Sequence, residues 1–392
     1  MVTVKKFQLN FIKIRGTSYQ RGKQHGFQLK HEINDICAKY QKFAQEAGTD
    51  YYKYIQYIMN STQFYKKAVE YCPTLIEEVK GIADGADQKF EEIFMLQNFE
   101  ENSWISLLTS LKKSNIDFSL EQGLNCSALG TCQTQNSYPL IGQNADNSLQ
   151  FVGYETLIHG IDTESDLEWF HITFPGLIGI YGLNNYGIGV CINSISTVHT
   201  KSIDNNLGSL FISRGILNCR TLEDAKKFLK KVPHASGLNY LIGDSKNICC
   251  VEASPAGVRV IQPTDGSIFH TNHAFKLQDI DHDYLNFLKT KSQITENDIK
   301  RLELDTNSRL NTLKTEFEKI KGFKTWSDFK QILSSHTPPE MPVCRHGPPN
   351  LAITNTSFVM ELTDKPKLRI CAGPPCKNQY HEFNFEKKGE LI

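Results

Sequence analysis

One cysteine of this 392-residue chain occupies a position from which it could act as a nucleophile. Cys126 lies between a polar, turn-rich segment, residues 112–125, and the first of several predicted strands, and Ser127 follows it. The sequence GQNAD ends in Asp146 at the close of the next predicted strand. Because two adjacent antiparallel strands bring their ends together, we expect the Asp146 carboxylate near the Cys126 thiol. A cysteine is more often a small buried hydrophobic residue, so the surroundings must decide between the two interpretations.

The predicted secondary structure changes at Cys126, with helices before it and strands after it. The first hundred residues have helical periodicity, and Thr17 or Ser18 can cap the first helix. Gly22 and Gly26 lie four residues apart, on one face of that helix. Each glycine costs about 1 kcal/mol relative to alanine within a helix. We therefore expect another backbone to approach that face closely.

The remaining elements follow from periodicity and turn signals. Asn185-Tyr186-Gly187 marks a tight hairpin turn. Helices are predicted over 50–72, 73–95, 208–219, 222–231 and 280–334, and strands over 126–195, 238–272 and 350–385. Blocks of antiparallel strands separated by helices indicate sheets that pack together and are covered by helices.

Composition and charge exclude some classes of function. Lys+Arg and Asp+Glu number 43 each, so nothing in the net charge predicts a nucleic acid or an anionic membrane as partner. The eleven cysteines show no regular disulfide framework, and the N-terminus does not resemble a signal peptide. We expect a soluble, cytoplasmic protein with reduced thiols. Residues 389–392 do not match the standard peroxisomal signal.

A further series of motifs shares its order and spacing with a known family. The motifs are, in chain order, Arg15-Gly16-Thr17, Gly22, Gly26, Cys126-Ser127-Ala128, Gly142-Gln143-Asn144-Ala145-Asp146, Pro175-Gly176, Gly182-Leu183-Asn184, Asn193, His270-Thr271-Asn272-His273, Ser308-Arg309, Cys344-Arg345-His346 and Gly373-Pro374-Pro375-Cys376. In this series the chain resembles the isopenicillin N acyltransferase family of the N-terminal-nucleophile hydrolase superfamily. The similarity extends over nearly the whole length, and the combination is far more specific than any one motif.

The resemblance implies a fold and a mode of activation. The fold is α+β, a four-layer αββα sandwich with an N-terminal helical region. The chain is an inactive precursor that cleaves itself before Cys126, giving a helical chain 1–125 and a catalytic chain 126–392 that stay together as a heterodimer. Cleavage exposes an α-amino group on Cys126 with a pKa of about 7.7–8.0, which suits a general base near neutral pH.

The resemblance also implies roles for five further residues. Asp146 orients the new α-amino group, and Arg309 lies near the thiol, where a cation favours the thiolate. The side-chain amide of Asn272 and the backbone N–H of Asn193 form the oxyanion hole, a contribution of a few kcal/mol per donor. Ser308 is a candidate for a supporting hydrogen bond.

Each of these residues also has a purely structural interpretation. Asn193 and Asn272 end predicted strands, where asparagine is commonly a turn residue. Asp146 could cap a turn, and Arg309 could be a solvated helix residue that pairs with Asp305. Taken together with the cysteine, the set favours catalysis.

The residue before the nucleophile departs from the family. Asn125 stands where glycine is common, and its side chain can hinder the strained turn that an acyl shift requires. The attacked group is the backbone carbonyl, so asparagine need not block cleavage.

A zinc site built from His270, His273, Cys344 and His346 is disfavoured. The sequence has no C-x-x-C pair among them, and the two histidines lack the i, i+4 spacing of zinc-binding helices. We therefore expect no metal and no cofactor. Three cysteines are left without an assigned role, namely Cys344, Cys371 and Cys376.

The predicted function is acyl transfer through an acyl-enzyme on Cys126. The substrate is a small amide or thioester, with acyl-CoA as a possible co-substrate, and the acceptor is water or an amine. Hydrolysis is favoured because water needs no dedicated second pocket. The alternatives are a non-catalytic binding or scaffold protein with the same fold, and a thiol redox protein, for which the C-x-x-C motif is missing.

Overall fold

The computed structural model describes residues 6–46, 48, 50–102, 125–195, 205–277, 296–347 and 352–385. The strands in these ranges are β1 (Asn10–Gly16), β2 (Ser127–Thr131), β3 (Leu140–Ser148), β4 (Thr156–Asp162), β5 (Glu168–Thr173), β6 (Tyr181–Asn184), β7 (Gly189–Ser194), β8 (Leu238–Gly243), β9 (Ile248–Ser254), β10 (Gly257–Ile261), β11 (Ser267–His270), β12 (Ala352–Glu361), β13 (Lys367–Ala372) and β14 (His381–Asn384). The helices are α1 (Ser18–Gln28), α2 (Lys30–Glu46), α3 (Tyr51–Asn60), α4 (Phe64–Tyr71), α5 (Pro73–Ala86), α6 (Phe90–Leu96), α7 (Ser209–Ile216), α8 (Leu222–Lys231), α9 (Glu296–Lys319) and α10 (Trp326–Leu333).

The strands form two sheets that pack face to face. The larger sheet has eight strands in the order β1-β4-β5-β6-β7-β8-β9-β10, and the smaller has six in the order β11-β2-β3-β12-β13-β14. At one crossing point the sheets approach so closely that a Cβ atom on Gly189 of β7 would lie 2.8 Å from Ile141 Cδ1 of β3. Glycine at this position therefore allows the two sheets to meet.

Helices cover the outer face of each sheet. Phe317 of α9 and Phe329 of α10 pack in one apolar cluster with Leu129 and Val359 of the smaller sheet. The N-terminal helices, α7 and α8 lie on the larger sheet, and His25 Nε2 of α1 accepts a hydrogen bond from the backbone N–H of Gly176. The four-layer αββα sandwich predicted from the resemblance is confirmed.

The glycines of α1 pack against a second helix, as expected. A Cβ atom on Gly22 would lie 1.9 Å from the backbone oxygen of Glu78 in α5, and one on Gly26 would lie 2.2 Å from that of Ile82. Gly81 and Gly85 of α5 are equally close to the backbone of α1. Two glycine pairs thus let the helix backbones touch.

The N-terminal region is not helical throughout, because its first residues form a strand. β1 pairs in parallel with β4, from Asn10 opposite Thr156 to Gly16 opposite Asp162. The segment before α1 is therefore part of the larger sheet. The alternating buried and exposed residues of NFIKIRG were a strand signal that the helical periodicity after Thr17 obscured.

Most predicted elements agree with the structure. Thr17 caps α1 with a capping box, and Thr221 caps α8. The hairpin between β6 and β7 turns at Gly187, whose φ is +80°. Of the predicted linker, residues 112–124 lie outside the described ranges, as does the part of the predicted 280–334 helical region before residue 296. None of the described helices has the length and apolar content that a membrane crossing requires.

Candidate active site

Cys126 lies immediately before β2, in the interior of the sandwich. The residue is 1% exposed. Its Sγ lies 3.9 Å from the hydroxyl oxygen of Tyr181 on β6. β2 pairs with β3 in a register that puts Ser127 opposite Asn144, so the Asp146 end of β3 lies beside Cys126. The expected proximity of these two side chains follows from this pairing.

The backbone of Cys126 is held at both its nitrogen and its oxygen by side chains. The N–H donates to Asn272 Oδ1 at 3.0 Å. Arg309 Nη1 donates to the Cys126 carbonyl oxygen at 2.6 Å and to Ser127 Oγ at 3.0 Å. The second terminal nitrogen of the guanidinium, Nη2, donates to Asn272 Oδ1 at 2.8 Å. Cys126, Asn272 and Arg309 therefore form one hydrogen-bonded unit.

The orientation of the Asn272 amide follows from its neighbours. Both Cys126 N–H and Arg309 are donors only, so the amide oxygen must face them. The amide nitrogen then faces the carbonyl oxygen of Ser194 at the end of β7, to which it donates at 2.9 Å. Asn272 thus links the Cys126 nitrogen to the end of β7.

The segment that carries Asn272 is fixed by a buried carboxylate. Glu252 of β9 accepts hydrogen bonds from the backbone N–H groups of Phe275, Lys276 and Leu277 and from His270 Nε2. Burial would raise the pKa of this carboxyl, but His270 and the backbone donors outweigh burial and lower it. The ionised Glu252 therefore anchors residues 270–277.

α9 holds the same segment from the other side. The Asn272 N–H donates to Thr306 Oγ1 at 2.8 Å, and Thr271 Oγ1 donates to the Thr306 carbonyl oxygen at 3.0 Å. Thr306 and Arg309 are three residues apart, on one face of the helix. One helix face therefore positions both Asn272 and its arginine partner.

Asp146 is buried, and Thr354 and Arg345 lie beside its carboxylate. Thr354 Oγ1 donates to Asp146 Oδ1 at 2.7 Å, and Arg345 Nε lies 3.3 Å from Oδ2. Burial raises the pKa of Asp146 to about 6, although Arg345 and Thr354 oppose that shift. The carboxyl thus changes charge just below neutral pH.

Two arginines and two aspartates alternate in a buried chain of ion pairs. Arg345 lies between Asp146 and Asp305, and Arg309 Nε pairs with Asp305 Oδ2 at 3.0 Å. Burial would raise the pKa of Asp305, but the two arginines outweigh it and lower the pKa. Asp305 does pair with Arg309, as the structural interpretation had it, but Arg309 is fully buried rather than solvated.

The Cys126 thiol is held in its neutral form. Burial, and next the Asp146 carboxylate, raise the pKa of Cys126 to about 12. The backbone N–H of Asp146, the Tyr181 hydroxyl and Arg309 act in the opposite direction but do not offset burial. A base beside the sulphur is therefore needed before this cysteine can act as a nucleophile near neutral pH.

The GQNAD sequence is buried because its polar side chains connect the layers. Gln143 donates to the Ile192 carbonyl oxygen at 2.6 Å and accepts from the Ile192 N–H at 2.9 Å, which ties β3 to the larger sheet. Asn144 Nδ2 donates to the carbonyl oxygens of Leu333 and Val343, on the helical side. Successive residues of a strand point to opposite faces, so one motif links both neighbouring layers.

Asn193 lies beside this site, but its backbone N–H points elsewhere than predicted. Both backbone groups of Ile192 engage Gln143, so in the antiparallel ladder those of Asn193 face Asn239 of β8. The Asn193 side chain is fully buried, and Asn239 Nδ2 donates to its Oδ1 at 3.1 Å. Its Nδ2 has no hydrogen-bond partner within the described part of the chain.

Ser308 lines a groove of about 530 Å³ beside α9 with Asn311, Thr312 and Pro338. One residue along a helix turns the side chain by about 100°, so Ser308 points in a different direction from its inward-facing neighbour Arg309. The supporting hydrogen bond predicted for Ser308 stays a prediction.

Three contributors to the site were not predicted from the sequence. Tyr181 reaches the thiol from the larger sheet, and no local pattern singled it out. Glu252 acts through backbone groups some twenty residues away. Arg345 did carry a signal, because it lies within the Cys344-Arg345-His346 motif, but its partners Asp146 and Asp305 are distant in sequence.

The chain is similar to known proteins in three comparisons. The family model described as acyl-coenzyme A:6-aminopenicillanic acid acyl-transferase matches residues 132–340, more than half of the chain. That range includes Asp146, Asn193, Asn272 and Arg309, and it begins just after Cys126.

Among curated proteins, the chain is similar to the acyl-coenzyme A:6-aminopenicillanic-acid-acyltransferase 40 kDa form of Emericella nidulans, with 25% identity over 203 residues. This alignment spans about half of each protein, 51% of the chain and 52% of the relative.

Two solved structures are also similar. One is a mutant of the conjugated bile acid hydrolase from Clostridium perfringens, with a TM-score of 0.37, 13% identity and coverage of 67% of this chain and 97% of that chain. The other is penicillin V acylase from Agrobacterium tumefaciens, with a TM-score of 0.31, 13% identity and coverage of 70% and 81%.

Proposed function

This chain belongs to the acyl-coenzyme A:6-aminopenicillanic acid acyl-transferase family, and we propose that it is a precursor which cuts itself before Cys126 and then transfers acyl groups through that thiol. The donor is a small amide or a thioester, acyl-CoA included, and the acceptor is water or an amine. The relative from Emericella nidulans is named for an acyl-coenzyme A donor and an amine acceptor, which supports these classes.

The observation that carries the proposal is the hydrogen-bonded unit around the Cys126 backbone. Asn272 Oδ1 accepts from the Cys126 nitrogen, and Arg309 donates to the Cys126 carbonyl oxygen. An ordinary buried cysteine needs no side chains at these positions, since its backbone groups can join a sheet. A residue that becomes a chain terminus needs them, because it loses its covalent connection on one side.

Self-cleavage begins with attack of Cys126 Sγ on the Asn125 carbonyl carbon. The C–S bond forms as the C–N bond breaks, and the thiol proton passes to the Cys126 nitrogen, which leaves as an amine. Water then hydrolyses the thioester, giving a carboxylate on Asn125 and restoring the thiol. Asn272 Oδ1 is already placed to hold that nitrogen at 3.0 Å.

Turnover repeats this chemistry on an external substrate. The new α-amine takes the thiol proton, which removes the obstacle of a thiol pKa of about 12 in the uncleaved chain. The thiolate attacks the acyl carbon, the leaving amine or thiol receives the proton, and an acyl-enzyme forms on Cys126. Water or an amine then takes the acyl group and the thiol is restored.

Asp146 and Arg309 stabilise the charges that appear in these steps. The released α-amine is cationic when protonated, and the Asp146 carboxylate beside it is ionised above its pKa of about 6. Arg309 fixes the Cys126 carbonyl and Asn272 together. Arg345 acts as a positioning residue, because it contacts Asp146 and Asp305 rather than the thiol.

For the oxyanion we propose the side-chain amide of Asn193 in place of its backbone N–H. Its buried Nδ2 has no partner among the described residues. An unsatisfied buried donor costs stability, and a hydrogen bond to the oxyanion would account for its presence here. Asn193 adjoins Ser194, which Asn272 contacts. The Tyr181 hydroxyl is the second proposed donor, because it is 3.9 Å from the sulphur.

The two proposed chains, 1–125 and 126–392, are expected to stay associated after cleavage. β1 pairs with β4 over seven residues, and α1 with α5 packs on the larger sheet. The cut would fall between two parts of one folded core. Separation would expose buried apolar surface, at about 25 cal/mol per Å².

We propose the cytoplasm as the compartment. All eleven cysteines are free thiols, although two of them, Cys344 and Cys376, have their sulphurs only 3.6 Å apart. Disulfides persist in oxidising compartments, so this pattern suits a reducing one.

The experiment that tests the proposed function is trapping of the acyl-enzyme. The protein is incubated with a panel of acyl-CoA thioesters and small linear amides, quenched in acid and mapped by peptide mass spectrometry. We expect an acyl adduct on Cys126, absent from a Cys126→Ala variant and retained by a Cys132→Ser control. Turnover that persists in Cys126→Ala would contradict the proposal.

The same reactions distinguish the acceptor. With 6-aminopenicillanic acid added as a probe amine, acyl transfer gives the N-acylated amine and hydrolysis gives the free acid. We expect mainly the free acid, because water needs no dedicated acceptor pocket.

A further inference from the structure

Two cysteines and two histidines that the proposed reaction does not use converge near the Arg345 end of the site. His336 follows α10, Cys344 and His346 lie in the segment before β12, and Cys376 lies in the turn after β13. Their four ligand atoms all lie within 4.8 Å of one another. Three separate segments of the chain therefore contribute to one cluster.

Four of the six distances between the ligand atoms are between 3.0 and 3.7 Å. The sulphurs of Cys344 and Cys376 are 3.6 Å apart. His346 Nε2 lies 3.7 Å from Cys344 Sγ, 3.3 Å from Cys376 Sγ and 3.0 Å from His336 Nε2. Each residue thus directs a metal-ligating atom towards a common centre.

These separations match those of ligands around a tetrahedral zinc ion. With Zn–S and Zn–N bonds of about 2.3 and 2.0–2.1 Å, a tetrahedron separates two sulphurs by about 3.8 Å, a sulphur and a nitrogen by about 3.6 Å, and two nitrogens by about 3.3 Å. The four separations given above follow these values to within about 0.3 Å, and the remaining two, from His336 to the sulphurs, are within 4.8 Å. The cluster therefore has the right atoms at close to the right separations.

We propose that His336, Cys344, His346 and Cys376 form a binding site for a zinc ion. Two thiolates and two imidazoles in tetrahedral arrangement are a typical zinc ligand set. Binding displaces the two thiol protons to solvent, so the neutral pair of thiols and Zn²⁺ gives a neutral complex and two protons. With four protein ligands the coordination is closed, which assigns the ion a structural role.

A disulfide accounts for the cluster less well. An S–S bond is about 2.0 Å long, much shorter than the separation of the two sulphurs. It would also leave two facing imidazole nitrogens without a reason to meet. A metal ion uses all four side chains.

The segments that carry the ligands are already fixed by backbone hydrogen bonds. The Cys344 N–H donates to the Ser335 carbonyl oxygen at 2.9 Å, next to His336. The Gly373 N–H donates to the Asn355 carbonyl oxygen, which holds the turn before Cys376 against β12. The site therefore needs little ordering on binding.

The ion would restrain one residue of the active-site network. Arg345 lies between the ligands Cys344 and His346, and its guanidinium contacts Asp146 and Asp305. A metal bound on both sides of Arg345 limits how far this backbone can move. Zinc binding is therefore expected to keep Arg345 against Asp146.

The first test is metal content and affinity of the full-length protein. It is purified in reductant without added metal, analysed by inductively coupled plasma mass spectrometry, and titrated with zinc against a chromophoric chelator. We expect about one zinc per chain. Cys376→Ser and His336→Asn should each weaken binding by at least about tenfold, whereas the control Cys132→Ser should not. Cys376 and His336 are exposed, so both variants should fold.

The second test identifies the ligands by cobalt substitution. Co²⁺ in the wild-type site should give the visible bands of a tetrahedral ion and a thiolate charge-transfer band, and Cys376→Ser should lose much of the latter. Equal affinity in all variants, no uptake of metal, or a Cys344–Cys376 disulfide that persists in the presence of reductant would each overturn the proposal. None of these readouts depends on turnover, so they are independent of the proposed activity.

Discussion

Cys126 and Cys376 are both cysteines, but one is buried and the other is exposed. Cys126 is 1% exposed and is surrounded by hydrogen-bonding groups that act on its backbone and its proton. Cys376 is exposed, and its nearest polar neighbours are another thiol and an imidazole. The first environment suits a nucleophile that becomes reactive only when a base lies beside it, and the second suits a metal ligand. The neighbours, rather than the residue type, determine the chemistry.

The two regions also differ in how they are built, although one residue joins them. The Cys126 site rests on strand ends and one helix face, whereas the zinc ligands lie in turns and connecting segments. Arg345 belongs to both, because it lies between two zinc ligands and pairs with Asp146. The dependence between the regions should therefore run in one direction: loss of the metal disturbs the active site, but loss of the thiol leaves the metal site intact.

Removing the thiol should have the largest effect and should separate the two regions completely. Cys126→Ala is expected to abolish turnover, a loss on the order of 10⁴–10⁶-fold, because nucleophile and base are one residue. The same variant should still bind zinc with wild-type affinity. Activity assays and zinc titration on one preparation check both parts. Lower zinc affinity in this variant would contradict the one-way dependence.

Removing the central cation should be the next largest effect. Arg309→Met leaves the carbonyl of Cys126 and the oxygen of Asn272 without their donor, and we expect turnover to fall by about 10²–10³-fold. It also leaves Asp305 with one arginine, so the free energy of unfolding should drop by about 3–5 kcal/mol. Steady-state kinetics and urea unfolding measure these losses. Lys314→Met, an exposed change on the same helix, is the matched control and should alter neither.

The lower step of the acid limb of the pH profile should report Asp146. The Cys126 α-amine must be neutral to take the thiol proton, so turnover should already fall below its pKa of about 7.7–8.0. Because burial raises the pKa of Asp146 to about 6, its carboxylate is lost below that pH, and the fall in turnover should there become about tenfold steeper per pH unit. The variant Asp146→Asn should be slow and should lack this second step. A wild-type profile whose slope does not change between about pH 7 and pH 4.5 would rule out the proposed role.

Removing the metal should have the smallest effect on turnover and a clear effect on stability. Zinc at a hundredfold excess over its dissociation constant should stabilise the folded protein by about 2.7 kcal/mol, so a chelator should lower the melting temperature and added zinc should restore it. Turnover should fall a few-fold through Arg345. The same chelator should lower the melting temperature of Cys376→Ser by less than that of wild type, which differential scanning calorimetry can check.

Much of the fold was predictable because its signals are local. Thr17 and Thr221 cap helices where expected, and the close approach of α1 and α5 follows from Gly22 and Gly26. β1 was not predicted, because a single strand before a helical region pairs only with a distant partner, β4. Periodicity cannot reveal such a partner.

The residues of the candidate site that lie in short sequence motifs could be predicted. The contacts between side chains that are distant in sequence could not. Cys126, Asp146, Asn272 and Arg309 are brought together, whereas Ser308 lines a groove beside the helix that carries Arg309.

The zinc ligands show the same limit. Cys344 and His346 were considered with His270 and His273, but those histidines bind Glu252 and Thr306 instead. The other two ligands of the proposed site, His336 and Cys376, come from other segments.

The central claim is that the chain activates itself by cutting before Cys126, and intact-mass spectrometry of the denatured protein tests it most directly. Wild type and Cys126→Ala are expressed, purified and measured side by side. We predict two masses for wild type, corresponding to residues 1–125 and 126–392, and one full-length mass for the variant. A single full-length chain in both would contradict the account.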